Sequence, residues 1–210
     1  MDTLEINLPE LVNPMTYEQY RALSDELVAQ NKTTGSEQSE HRISFTKLNQ
    51  QRMKRVEKQF VLQPALQELL AQNQRDWKWL VLVEAWCGDG AQILPAIAAI
   101  AAASPSIELV VLLRDANPAL MDTCLTNGSR SIPKLICVDA KTGERVFTWG
   151  PRPTAIQAQV KQLKAEKPEI QHDELVQQVQ LWYAKDHSQS LQQDMVQLLQ
   201  EALQTQGAEV

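Results

Sequence analysis

The stretch WKWLVLVEAWCGDG, Trp77 to Gly90, constrains this chain more than any other part of it. Its first ten residues are aromatic, leucine- and valine-rich with little polar interruption, the pattern of a strand buried on both faces, and CGDG then forces a turn. Ala91 to Ala103 follows with helical composition, and IELVVLL, Ile107 to Leu113, reads as a second buried strand. Two such strands joined by a helix need helices packed on the faces of a sheet, which makes the class α/β. Asn117-Pro118 places an N-cap and an N1 proline before a short helix. PKLICVD, a turn at Lys141 to Gly143 and ERVFTW predict a closing hairpin, and Thr154 with Gln157 predicts a capped helix after it.

The flanks are helical. Thr16 with Gln19 makes a capping box, Met15 and Tyr20 can staple it, and Tyr20, Leu23 and Leu27 share a face. Lys32 to Glu40 is polar and reads as a loop broken at Gly35. From about Phe45 a second helix carries the stripe Leu48, Met53, Val56 and Phe60 on an otherwise basic surface, and a short helix runs from about Pro64 to Asn73. Beyond Pro168, Leu175, Val179 and Trp182 share one helical face. Leu191, Met195, Leu198 and Ala202 share another after a break at Asp186 to Ser188, giving a hairpin that packs on the core or on a partner. The expected organisation is a helical extension over 1–76, an α/β core over 77–165 and a helical hairpin over 166–210, forming one compact unit.

Composition narrows the function. A formal charge of −6 offers no basic field for a phosphate backbone, so nucleic acid is not an expected partner. The most apolar stretch, Ile93 to Leu113, is cut by Pro95, Pro105 and Glu108, which argues against a membrane span. MDTLEINLPELVNP lacks a basic segment followed by an apolar run, so the expected location is cytoplasmic. Three cysteines, an odd count in that setting, read as free thiols. His41, His172 and His187 show no ligand spacing with them, and no metal is expected.

Several residues fall in one register. Trp86-Cys87-Gly88 is followed eight residues after the cysteine by Pro95, Arg130-Ser131-Ile132-Pro133-Lys134-Leu135 opens the hairpin, and Gly150 follows its last strand. In these positions the chain resembles the thioredoxin family: W-C-G of the active site, the proline that kinks its helix, and the R-G-I-P-T-L segment carrying the cis-proline. WCGDGAQ, with KLNQQRMKR before it and TWGPRP after it, is similar to a bacterial thioredoxin-like group that keeps one cysteine in a W-C-G-D turn. The resemblance implies a thioredoxin-like fold with an N-terminal helical extension and a C-terminal helical hairpin. It covers most of the chain but carries no established reaction.

The resemblance places Cys87 at a helix N-terminus, where unpaired N–H groups favour thiolate, so Cys87 is the candidate nucleophile. Trp86, Gly88, Asp89 and Gly90 complete the turn. Gly90 stands where a dithiol enzyme has its second cysteine, so a mixed disulfide at Cys87 would need an external thiol, a small molecule or another protein, to resolve it. Val81 stands where thioredoxins bury an aspartate. Asp89 either caps the helix or places a negative charge beside the sulfur. The alternative for Cys87 is a small buried residue in a fold reused as a binding scaffold. A cis Ile132-Pro133 bond would expose backbone groups to a peptide or glutathione-like ligand, or form only a tight turn. Arg130, Lys134 and Arg152 are candidates to hold ligand carboxylates, or are simply solvated. Trp86 packs over the thiol or meets the substrate, and Cys124 and Cys137 read as core packing. The expected partners are therefore a low-molecular-weight thiol or a client disulfide, with no bound cofactor.

Overall fold

The computed structural model describes residues 5–207. Its elements run α1 Tyr17–Ala29, α2 Glu40–Gln59, α3 Pro64–Gln72, β1 Trp77–Val83, α4 Gly88–Ala102, β2 Ile107–Leu113, α5 Pro118–Asp122, β3 Lys134–Asp139, β4 Arg145–Trp149, α6 Thr154–Glu166, α7 His172–Asp186 and α8 Gln189–Gly207. Four strands form one sheet in the order β2-β1-β3-β4. β1 pairs parallel to β2 and antiparallel to β3, and β3 and β4 form an antiparallel hairpin. This is the thioredoxin-like arrangement, wrapped by additional helices. Met15 pairs its backbone with Val111 on the outer edge of β2, so that edge is partly covered.

Alternation along β1 divides the interior. Trp77, Trp79, Val81 and Val83 point into the larger core with α3, α4, α6 and α8, while Leu80 and Leu82 point to the other face with Leu120, Met121, Ile132 and Cys87. β1 stops at Val83, three residues short of the apolar run's end, because Glu84 to Trp86 turn the chain into α4. The break in the tail falls where His187 and Ser188 take left-handed backbone angles, φ 49° and 62°.

The helices depart from expectation in three places. On α2 the buried side chains are Ile43, Thr46, Asn49, Met53 and Val56, while Leu48 is 47% exposed. Its packed face is partly polar because it lies against backbone groups that need hydrogen bonds. On α8 the buried stripe is Leu191, Met195, Leu199 and Ala202, set within the main core, so this stripe is not a free partner surface. α6 begins at Thr154 without a capping box; the carboxylate of Asp194 on α8 accepts the Thr154 N–H at 2.8 Å instead. Among the described residues, no helix is long and apolar enough to cross a membrane.

Candidate functional site

The site begins where β1 delivers its chain to α4. Cys87 is the N-cap of that helix, and its sulfur accepts the Gly90 N–H at 3.3 Å. On its other side the thiol donates to the Ile132 carbonyl at 3.5 Å. Only 7% of the residue is exposed. Burial pushes the thiol up to about 12, the Asp89 charge adds to the effect, and the Gly90 N–H opposes it without prevailing. The helix N-terminus alone favours thiolate, but here desolvation is the larger influence and the thiol is held neutral. Cys124 and Cys137 are buried too, and burial raises both.

Asp89 does not cap α4. Its carboxylate is paired with Arg152 at 2.7 Å, with both side chains largely enclosed. Arg152 reaches it from the segment after β4, where Gly150 has φ 110° and the Gly150–Pro151 bond is cis. A Cβ at Gly150 would lie 2.4 Å from the Pro133 carbonyl oxygen, so the two loops approach backbone to backbone. The Ile132–Pro133 bond is cis as well. A Cβ at Gly90 would sit 2.5 Å from Val83 Cγ2, which explains why a small residue follows the cysteine there.

Other candidates are placed differently from one another. Lys134 is only 4% exposed, and its ammonium donates to Thr126 Oγ1 at 2.5 Å and the Gly150 carbonyl at 3.0 Å. It holds the loops together and does not face ligand. Arg130 stays at the rim, where it makes two 2.6 Å hydrogen bonds to Asp122. Trp86 lies beneath two guanidinium groups, Arg42 at 4.2 Å and Arg114 at 5.1 Å from its ring centroid.

A cleft of about 440 Å³ opens above these residues. Trp86, Cys87, Gly88, Asp89, Arg130, Ile132 and Arg152 line it, whereas Gly90, Pro133 and Lys134 do not. Its opposite wall is helical: Arg42 and Phe45 of α2, and Val176, Val179 and Gln180 of α7. A Cβ at Gly88 would fall 3.1 Å from Gln180 Nε2 and 3.2 Å from Arg52 Nη1, so α7 and α2 close directly over the turn.

Sequence reasoning missed the residues that hold this wall. Asn49 Nδ2 donates to the Ala85 carbonyl at 2.8 Å, and Thr34 Oγ1 accepts the Ala85 N–H at 2.9 Å, fixing the residue before Trp86 from outside the sheet. Thr33 and Thr46 join behind them at 2.6 Å. The signal in the sequence was a polar one: Thr46 and Asn49 lie in helical register with Met53 and Val56 on one buried face. Glu84 is buried as well, accepts the Asp115 N–H at 2.9 Å, and is raised by burial. Among the described residues, no group of three His, Cys, Asp or Glu is arranged to hold a metal ion.

A family model described as thioredoxin matches residues 35–164. Among solved structures, a protein of unknown function from Pseudomonas aeruginosa aligns with a TM-score of 0.55 and 18% identity, over 90% of this chain and 99% of that one. An HIV epitope-scaffold aligns with a TM-score of 0.53 and 17% identity, over 89% and 99% of the two chains. Both likenesses concern the fold. No curated protein matches the sequence.

Proposed function

The chain belongs to the thioredoxin family, and from that premise we propose that it is a binding module whose cis-proline cleft takes a short peptide-like ligand, glutathione-like in size and charge. The observation that carries this reading is the buried Cys87 S–H, in the lining of the cleft, donating to the Ile132 carbonyl. That geometry suits a neutral thiol, because a carbonyl lone pair aimed at the sulfur repels thiolate charge. Arg42, Arg114 and Arg130 line the cleft, each paired with one carboxylate of the chain, and a ligand carboxylate would use their remaining N–H donors. In this reading Trp86, Gly88, Asp89 and Ile132 shape the cleft. The test is titration calorimetry with S-methylglutathione, which cannot exchange disulfides. Saturable binding to the wild type, retained in Cys87→Ser, supports the module; no saturable binding, or binding lost with the thiol, overturns it.

A second reading is monothiol exchange, favoured by the fact that the cleft reaches Cys87 while Gly90 offers no resolving sulfur. Cys87 thiolate would attack a disulfide RSSR, forming Cys87–S–S–R and releasing RS⁻; a second thiolate R′S⁻ would then attack the R-bearing sulfur of the mixed disulfide, forming R′S–SR and returning the Cys87 thiolate. Oxidised glutathione should then add one adduct, located at Cys87 by digestion and mass spectrometry and stable until excess thiol is supplied. Adducts spread equally over Cys87, Cys124 and Cys137 would remove the privileged thiol.

A further inference from the structure

A groove of about 830 Å³ runs between α2 and α7, beside the Cys87 cleft but not lined by Cys87. Its mouth is apolar. Leu48 on α2 and Leu181 on α7 are 47% and 56% exposed, two large hydrophobic side chains on its two helical walls, and Phe45 and Val176 line it as well. Its floor is polar and closed by Gln92 of α4, whose Nε2 donates to Gln180 Oε1 at 2.7 Å. Two guanidinium groups, three residues apart on α2, reach that floor. Arg55 Nη2 donates to Gln92 Oε1 at 3.0 Å, and Arg52 Nη1 donates to Asn49 Oδ1 at 2.8 Å. Both partners are neutral amides. By contrast, Arg42, Arg114, Arg130 and Arg152 are each paired with a carboxylate. Burial and the neighbouring Arg55 charge both lower Arg52 against the opposing pull of Asp89, the sign of a cationic pair lacking a full counter-charge. Asp173 is the carboxylate among the groove's lining residues, and it forms no ion pair with either arginine.

From this arrangement we infer that the α2–α7 groove is a binding site for a small amphipathic anion, a medium-chain carboxylate, with its head on Arg52 and Arg55 and its chain between Leu48 and Leu181. Charge complementarity selects the head, since a carboxylate accepts from guanidinium groups now bonded to amides. Apolar area selects the tail, because a chain between the two leucines removes surface that solvent otherwise covers. The site goes beyond the cleft reading and does not depend on it.

Titration calorimetry of the full chain with decanoate, and with decanol as the neutral match, tests the assignment. Decanoate should saturate at one site and bind about tenfold tighter than decanol, the effect of one charge-assisted head contact. Arg55→Gln should lower decanoate affinity about tenfold and leave decanol unchanged, which separates head recognition from a loss of fold. Leu181→Asp, at an exposed position that does not threaten folding, should weaken both probes. Equal affinity for decanoate and decanol, no saturation below the micelle concentration, or an Arg55→Gln variant that binds decanoate like the wild type would each overturn the site.

Discussion

Two walls face each other across Cys87, and they are built differently. The sheet-side wall is largely backbone: the sulfur lies between the Gly90 N–H and the Ile132 carbonyl, and Gly150 passes against Pro133 with no room for a side chain. The helical wall is made of side chains: Asn49 on Ala85, Arg42 on Trp86, Gln180 on Gln92. Backbone groups fix where the sulfur sits. Side chains from α2 and α7 help decide how much water reaches it, and therefore whether the position is reactive. A shared turn can thus place a cysteine identically in two relatives and leave its chemistry open.

The largest expected effect breaks the sheet-side wall. Gly150→Ala puts a Cβ 2.4 Å from the Pro133 oxygen at a φ of 110°, so overpacking and backbone strain add. A loss of about 2–5 kcal/mol in urea denaturation is expected. Asn49→Ala, on the helical wall, leaves the Ala85 carbonyl without its donor and should cost less, about 1–3 kcal/mol. An Asn49→Ala loss equal to that of Gly150→Ala would show that the two walls are equally rigid.

Gly90→Cys sharpens the comparison from within the turn. The added Cβ lies 3.4 Å from Cys87 Cβ, near the lower end of the separation a disulfide spans, but 2.5 Å from Val83 Cγ2. The single variant should oxidise poorly. Gly90→Cys with Val83→Ala should form the 87–90 disulfide under mild oxidant, read as loss of two free thiols. Equal oxidation of both variants would mean Val83 yields freely.

Electrostatics gives the next effect. Asp89→Asn removes a charge that raises Cys87, and Arg152→Gln removes one that lowers it. Iodoacetamide should therefore react faster with the first variant and slower with the second, by about tenfold for each pH unit through which the titration of the thiol moves. In the wild type the rate should climb with pH without a plateau below about 12. A thiol raised in the fold contributes fully below the ordinary thiol range, around 9, and that contribution fades as pH rises toward about 12. Cys87→Ser should lose less stability across that window. A plateau near pH 8 would mean the thiol is solvated and the helical wall open.

The same division explains what the sequence made legible. The sheet, the turn and the Thr16 capping box follow from short-range patterns, and the structure has them within a few residues. Cys87, Asp89, Arg130 and Ile132 could be placed at one cleft because a linear motif and a known register carry them. Lys134 could not, since its side-chain direction depends on Thr126 and the Gly150 carbonyl across the loop. Nor could Asn49 and Arg42, whose roles depend on how α2 lies against the turn, or Thr34 in the loop before that helix. An apolar-stripe reading chose Leu48 for that face, although the backbone it covers demanded Asn49.

The smallest effect tests whether the two regions meet on equal terms at one side chain. Arg42 comes from α2 and Arg114 from the end of β2, and both lie over the Trp86 ring, at 4.2 and 5.1 Å. Either single deletion also removes other bonds, since Arg42 pairs with Glu37 and Arg114 with Asp115, so raw losses would mislead. Double-mutant cycles with Trp86→Leu isolate the contact. Each coupling should be about 0.5–1 kcal/mol, the range for a partly solvated cation over an indole. The Arg42 value should be the larger, because its guanidinium is closer and electrostatic attraction to the ring falls with distance. Urea denaturation of the singles and doubles measures both. A coupling confined to Arg114 would mean that α2 covers Trp86 without binding it, and the helical wall would then be a loose cover instead of part of the site.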